Sequence, residues 1–232
     1  MPTHTLQFGS LAIEYELAYQ DRKTLGITVH PDRRVTVTAP LGASAEKIHA
    51  KLRKRAPWIL KQQNFFLSFE PRTPPRRYVG GESHLYLGKQ YRLRFVDSAA
   101  ETVKLMRGYL EIHTTDRDRA AALLDTWYRA RAEKRFPVYA APHVEHFQAY
   151  GVTPSALVIR RMDKRWGSCT PKGKIILNPA LIKAPPGCID YVIVHELCHL
   201  VHHNHSRAFF DLQDKVFPTW RRWKRELERV MV

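Results

Sequence analysis

HELCHLVHHNHSRAFF, His195 to Phe210, sets five histidines and one glutamate into its first eleven residues. The side of a helix that each occupies decides what the segment is for. With Ile193 as the zero of an ideal helix, Leu197, Leu200 and Ile189 fall at about 40°, −20° and −40°, which makes one apolar stripe. His195, His199 and His202 fall at about 200°, 240° and 180°, on the opposite side. This helix is therefore apolar toward a core and imidazole-rich toward a cleft. Three imidazoles packed as ordinary core would leave several ring nitrogens without partners, whereas a metal ion in the cleft satisfies them.

His195 and His199 stand one turn apart, so both rings reach a single ion at about 2.0 to 2.1 Å. Glu196, next to the first histidine, is placed to take a proton from water activated at the metal and to pass it to the leaving group. HExxH is a short motif, and its surroundings must carry the rest. A three-ligand zinc site keeps one position open, which calls for a third donor, and His202, His203 and His205 compete for it. On a straight helix His202 sits about 4.5 Å further along the axis than His199. His205 follows His199 by six residues, the spacing that metzincins use with a glycine break. No glycine stands here; Asn204, which tolerates the left-handed conformation, is the expected point at which the helix ends and His205 swings back. His205 is thus preferred over His202 as third ligand. His202 is left to bond substrate or a bound water, and His203 to face solvent. Cys198 lies about 80° from the mid-line of His195 and His199 and reads as a small buried packer rather than a thiolate ligand.

Upstream, ALVIRRMDKRWGSC suggests a strand, TPKG a turn and KIILN a second strand, with APPG as a stop before the histidine helix. KIILN, Lys174 to Asn178, is a candidate edge to which an extended peptide could add, or a plain core strand. Arg160, Arg161, Lys164 and Arg165 are candidates to line the cleft, as oxyanion partners or as anchors for phosphate, with Arg161 and Arg165 expected to support the metal site or contact substrate. Trp166 reads as an aromatic plug and Gly167 as a backbone position needing no Cβ. Ser168 and Cys169 have no base in their sequence vicinity and are not read as nucleophiles.

The rest of the chain looks β-rich at first and helical later. ITVHPDRRVTVTAP predicts a hairpin turning at Pro31 and Asp32. Ser44 caps a basic helix through EKIHAKLRKRAPWILKQQNFF, with Pro57 expected to break or kink it. PRTPPRR, Pro71 to Arg77, reads as an extended linker, LYLGKQYRLRFV and VKLMRGYLEIHT as β segments, and DRDRAAALLDTWYRARAEKRF as a helix interrupted at Pro137 and Pro142. No internal repeat is visible. The expected division is a β-rich domain with one basic helix over 1–115 and a helical connector with the catalytic domain over 116–232. In the carboxyl-terminal stretch LQDKVFPTWRRWKRELERV, Pro218 lies near a helix start, Trp220 and Trp223 are expected to pack on the core, and the arginines to face solvent.

A chain of 232 residues that is 44% hydrophobic can bury a sizeable core, so it is not a disordered protein. Its 38 Lys and Arg against 22 Asp and Glu make a formal charge of +16, a field that attracts polyanions; nucleic acid is the obvious partner, a solvated basic surface the bland reading. Three cysteines without a CxxC pair indicate neither a disulfide framework nor a zinc ribbon and suit a reducing cytoplasm. The first twenty residues carry no signal-peptide pattern and no run spans a bilayer, so a soluble cytoplasmic protein without a membrane partner is expected.

RRMDKRWGSCTPKGKIILNPALIKAPPGCIDYVIVHELCHLVHHNHSRAFF resembles the YgjP-like metallopeptidase family, related to the SprT-like and WLM zinc proteases. The WGSC turn, the ILNP strand and HELCH with a distal NHS carry the resemblance from Arg160 to Phe210, and the amino-terminal half fits more loosely. The resemblance implies an α+β protein whose β-rich first part precedes a small zincin-like, minigluzincin-like core, with the HExxH helix beside a short sheet. It implies Zn²⁺ held by His195, His199 and His205, with Glu196 as general base and acid. Phe210 stands where relatives often carry tryptophan. No glutamate-bearing gluzincin motif is placed downstream, which supports a histidine as third ligand.

Three functions follow from these readings. The first is a zinc-dependent peptidase acting on peptides or proteins, including proteins held on nucleic acid. The second is a metal-dependent nucleoside triphosphate phosphohydrolase or pyrophosphatase, against which stands the lack of acidic Mg²⁺ ligands. The third is a nucleic-acid-binding module with a structural zinc, against which stands the lack of a fourth protein ligand.

Overall fold

In VTVTAP the alternation places Val35, Val37 and Ala39 on one face of a strand, and all three are buried. That strand, β4 (Val35–Pro40), lies in a four-stranded sheet with β1 (Thr3–Phe8), β2 (Leu11–Gln20) and β3 (Gly26–Val29), in the order β1-β2-β4-β3. The computed structural model describes residues 3–9, 11–30, 32–67, 76–163 and 165–231. The predicted hairpin is β3 against β4, with Ile27 opposite Val37. Pro31 lies outside the described residues, but the turn closes through Arg33, whose φ is 67° and whose N–H donates to the His30 carbonyl at 2.8 Å. Helix α1 (Ala45–Leu67) begins where the Ser44 hydroxyl accepts from the Lys47 N–H, and it lays Ile48, Leu52, Ala56 and Ile59 on the sheet. The break expected at Pro57 does not occur. Burial of this row outweighs the one backbone hydrogen bond that proline removes.

A second sheet repeats the arrangement: β5 (Ser83–Tyr86), β6 (Lys89–Val96), β7 (Thr102–Met106) and β8 (Tyr109–His113) stand in the order β5-β6-β8-β7. In both sheets the first pair and the last pair are antiparallel and the middle pair is parallel. A long helix follows each, here α2 (Ala120–Gln148), entered through a 3-10 turn that Asp116 caps by accepting from the Asp118 N–H. The duplication has no counterpart in a sequence repeat. Pro137 and Pro142 lie inside α2 without interrupting it, while Leu124, Trp127, Tyr128, Phe136 and Phe147 bury its inner side.

The two compact units are Met1–Pro74 and Pro75–Met231, so the division falls near residue 75 and not at 115/116. The cause is packing: Tyr86, Leu93, Leu110 and Ile112 of the second sheet share one core with α2 and the elements beyond it. Tyr128 donates its hydroxyl to the Leu85 carbonyl at 2.8 Å. Of the predicted linker PRTPPRR, residues 71–75 lie outside the described residues.

The third sheet is small: β9 (Ala156–Ile159), β10 (Gly167–Cys169) and β11 (Lys174–Leu177), in the order β10-β11-β9. ALVIRRMDKRWGSC therefore makes two strands, separated by a loop. KIIL is the central strand and not an edge, parallel to β9 and antiparallel to β10, so the edges of this sheet are β9 and β10, of which β10 lines the histidine-lined cleft. After a 3-10 turn at Pro179–Lys183 come α3 (Pro186–Val201), α4 (Arg207–Val216) and α5 (Trp220–Met231). As expected, Trp220 is buried, its ring stacked on Tyr191 and Phe210, and Trp223 lies so close to α3 that a Cβ on Gly187 would come 2.3 Å from its ring. The class is mixed α+β. No helix among the described residues is long and apolar enough to cross a membrane.

Candidate metal centre

Helix α3 buries Ile189, Ile193 and Leu197 completely, which turns His195 and His199 toward a cleft. The helix ends at Val201. His202 takes extended backbone (φ −128°, ψ 106°), while its N–H still donates to the Cys198 carbonyl. The break thus falls at His202, and Asn204 is absent from the non-glycine residues of positive φ. Ser206 N–H then donates to the Asn204 carbonyl at 2.8 Å, and the Ser206 hydroxyl caps α4 by accepting from the Phe209 N–H. This tight return carries His205 back over the helix. Its Nε2 lies 3.0 Å from Nε2 of His195, and ligand atoms of His195, His199 and His205 all lie within 4.8 Å of one another.

Each ring is held. His199 Nδ1 donates to the His202 carbonyl at 3.1 Å, which leaves Nε2 for an ion. Phe209, fully buried, lies 4.7 to 5.0 Å by ring centroid from all three imidazoles and forms their floor. Nδ1 of His195 and both amide atoms of Gln213 are buried without a hydrogen bond of full geometry, yet the Gln213 amide is near enough to favour a proton on that ring. Burial first, then His199 and His205, hold the His195 pKa down to about 4, so the ring is neutral and able to coordinate at neutral pH. Three imidazoles converging in a cleft are a donor set that fits Zn²⁺ better than Mg²⁺ or Ca²⁺.

Glu196 projects beside the cluster and is only 6% exposed. Burial pushes its carboxyl up to about 7, opposed by the Cys169 backbone N–H that donates to it and by the charge of Arg165. The room it occupies is made by Gly167: a Cβ there would lie 2.7 Å from Glu196 Oε1 and 2.8 Å from both Glu196 Cγ and Val192 Cγ1. The cleft, about 750 Å³, is walled by β10 and the residues after it on one side and by the histidines on the other. Buried Asn178 secures the loop before β10, its amide donating to the carbonyls of Met162 (2.7 Å) and Arg165 (3.0 Å).

His195, His199, His205, Glu196 and Arg165 line this one cleft. Arg161 does not; it is largely exposed, 3.9 Å from Asp125. The His202 side chain stands outside the cluster, and what it contributes is its carbonyl. His203, expected to face solvent, is exposed and lines the cleft rim, with Nδ1 against the His199 carbonyl. Lys164 lies outside the described residues. Cys198 is fully buried and its thiol is pushed up to about 12, the state of a packing residue. Sequence reasoning passed over Phe209 and Gln213. Their signal is a glutamine on the buried row of α4, with Phe209 and Leu212.

Comparison with solved structures finds similarity to the metallopeptidase zymogen abylysin of Pyrococcus abyssi, with 28% identity and a TM-score of 0.34 over 40% of this chain and 91% of that one. Among curated proteins there is no match. The model of the YgjP-like family, described as a metallopeptidase domain, matches residues 23–230, nine-tenths of the chain and the whole cleft included. This chain belongs to the YgjP-like metallopeptidase family.

Proposed function

We propose that this chain is a zinc-dependent peptidase whose ion is held by His195, His199 and His205, with Glu196 as general base and acid. The observation that carries this reading is the convergence of three imidazoles within 4.8 Å beside a buried carboxylate. Zn²⁺ bound there supplies Lewis acidity, lowering the pKa of water and polarising a carbonyl. Glu196 accepts the proton of the attacking water on a carboxylate oxygen and returns it to the departing amine. A carboxyl whose affinity for protons is raised by burial suits both directions of that transfer. Substrate enters as an extended peptide along the free edge of β10, hydrogen-bonding main chain to main chain, and this replaces the edge role considered for KIILN. Arg165, on the cleft wall, faces substrate carbonyl or carboxylate groups. Three free cysteines, two of them buried, support a reducing cytoplasmic setting.

Purified protein is expected to contain about one zinc per chain and to hydrolyse an unfolded protein substrate. Dialysis against a chelator should abolish hydrolysis and added Zn²⁺ should restore it. Zinc-dependent release of phosphate or pyrophosphate from nucleoside triphosphates, without peptide cleavage, would overturn the reading in favour of a phosphohydrolase. Gln213→Leu is expected to weaken zinc binding about 10- to 100-fold, the usual cost of losing the partner that orients a ligating histidine. Competition with a chromophoric chelator reads that shift, and an unchanged affinity would leave Gln213 as a packing residue.

A further inference from the structure

The outer side of α1 takes no part in the cleft chemistry. Its inner row, Ile48, Leu52, Ala56 and Ile59, is buried on the first sheet. At about 100° per residue, Lys47, Lys51, Lys54, Trp58 and Lys61 fall within roughly 80° of arc, centred about 135° away from that row. All five are exposed, and Trp58 keeps 39% of its surface open. The stripe runs about 21 Å along the helix, one side chain every 4.5 to 6 Å or roughly so. The helix carries six basic residues and a single acid, Glu46. Among the described residues no carboxylate pairs with Lys47, Lys51, Lys54 or Lys61.

A solvated outer face needs no tryptophan, and a line of unpaired lysines repels itself. Both features are accounted for by a flexible polyanion whose charges repeat and whose aromatic groups are free to stack. Lysine ammonium groups neutralise successive phosphates, and an exposed indole amid them is a platform for a base that is not already stacked in a duplex. An anionic bilayer fits less well, because the apolar side of α1 is consumed by its own core and leaves one ring to insert. We propose that the exposed face of α1 docks single-stranded nucleic acid, with Lys47, Lys51, Lys54 and Lys61 on phosphates and Trp58 stacked on a base. The proposal stands independently of the peptidase reading.

The test uses the full chain and a fluorescein-labelled 20-residue deoxythymidine oligonucleotide, followed by anisotropy across a salt series. Four phosphate contacts predict a slope of log affinity against log salt of about −2.8 from this surface. Changing the four lysines together to glutamine should weaken binding by on the order of tenfold or more and flatten the slope. Changing four exposed lysines elsewhere, Lys89, Lys104, Lys134 and Lys224, removes the same charge and should do much less. Trp58→Ala should weaken binding about 5- to 150-fold while leaving the salt slope in place. Circular dichroism of each variant reports that the fold is kept. Equal losses from the two lysine sets, indifference to Trp58→Ala, no binding by the wild type, or tighter binding to phosphatidylserine vesicles than to the oligonucleotide would each overturn the proposal.

Discussion

Glu196→Gln is expected to retain zinc and to slow peptide hydrolysis by about 10²- to 10⁴-fold, the usual contribution of a positioned acid–base group. Gly167→Ala should reproduce much of that loss while leaving the carboxylate in the chain. The methyl group it adds would fall 2.7 Å from Glu196 Oε1 and 2.8 Å from Val192 Cγ1, and Val192 sits in the core and cannot give way. Glu196 must therefore swing aside, and a displacement of about 1 Å at a reacting group costs on the order of 10²-fold. Zinc content and single-turnover hydrolysis, measured on both variants, separate the two steps. Full activity in Gly167→Ala would mean that the carboxylate acts from some other position, and full activity in Glu196→Gln would remove it from the chemistry.

The second large effect concerns His205, the imidazole that returns from beyond the helix. His205→Ala is expected to weaken zinc binding by more than about 100-fold, since loss of an outer partner alone costs about 10- to 100-fold. His202→Ala should bind zinc nearly as the wild type does, because alanine keeps the carbonyl that accepts from His199 Nδ1. Elemental mass spectrometry of the two proteins decides the matter. Zinc lost only from His202→Ala would mean that the helix continues past Val201 in solution and that the third donor is wrongly chosen.

Much of the centre was legible because it rests on local periodicity. The spacing of His195 and His199 and the apolar row of Ile189, Ile193 and Leu197 are consequences of 3.6 residues per turn, and a sequence displays them directly. The end of α3 was not legible in the same way. Sequence favours Asn204, where a left-handed residue would be cheap, but the chain leaves the helix through extended backbone at His202, a conformation open to any residue and selected by where Phe209 and α4 pack. Proline misled for a related reason: Pro57, Pro137 and Pro142 each delete one backbone donor, a local cost that long buried rows on α1 and α2 outweigh. Strand order was invisible because it is a matter of pairing between distant segments, which is why KIIL is central and why two sheets of the same arrangement occur without a repeated sequence. Gln213 was hidden in plain polar composition, since a glutamine acquires meaning only when burial leaves its amide facing a histidine ring.

The turn between β5 and β6 meets the segment that leads into α3. Leu87 and Gly88 donate their N–H groups to the carbonyls of Ile182 and Lys183 at 2.9 and 3.0 Å, and Gly88, at a φ of 77°, lies so near Pro185 that a Cβ there would come within 2.8 Å of its ring. The second sheet is thereby a buttress for the root of the histidine helix. A fragment cut at 116, though it holds every residue of the centre, would leave those carbonyls and the Pro185 shoulder facing water and the helix free to tilt. The smallest piece of this chain able to keep three imidazoles in register starts near residue 75, and any trimmed or transplanted version of the centre has to bring its foundation with it.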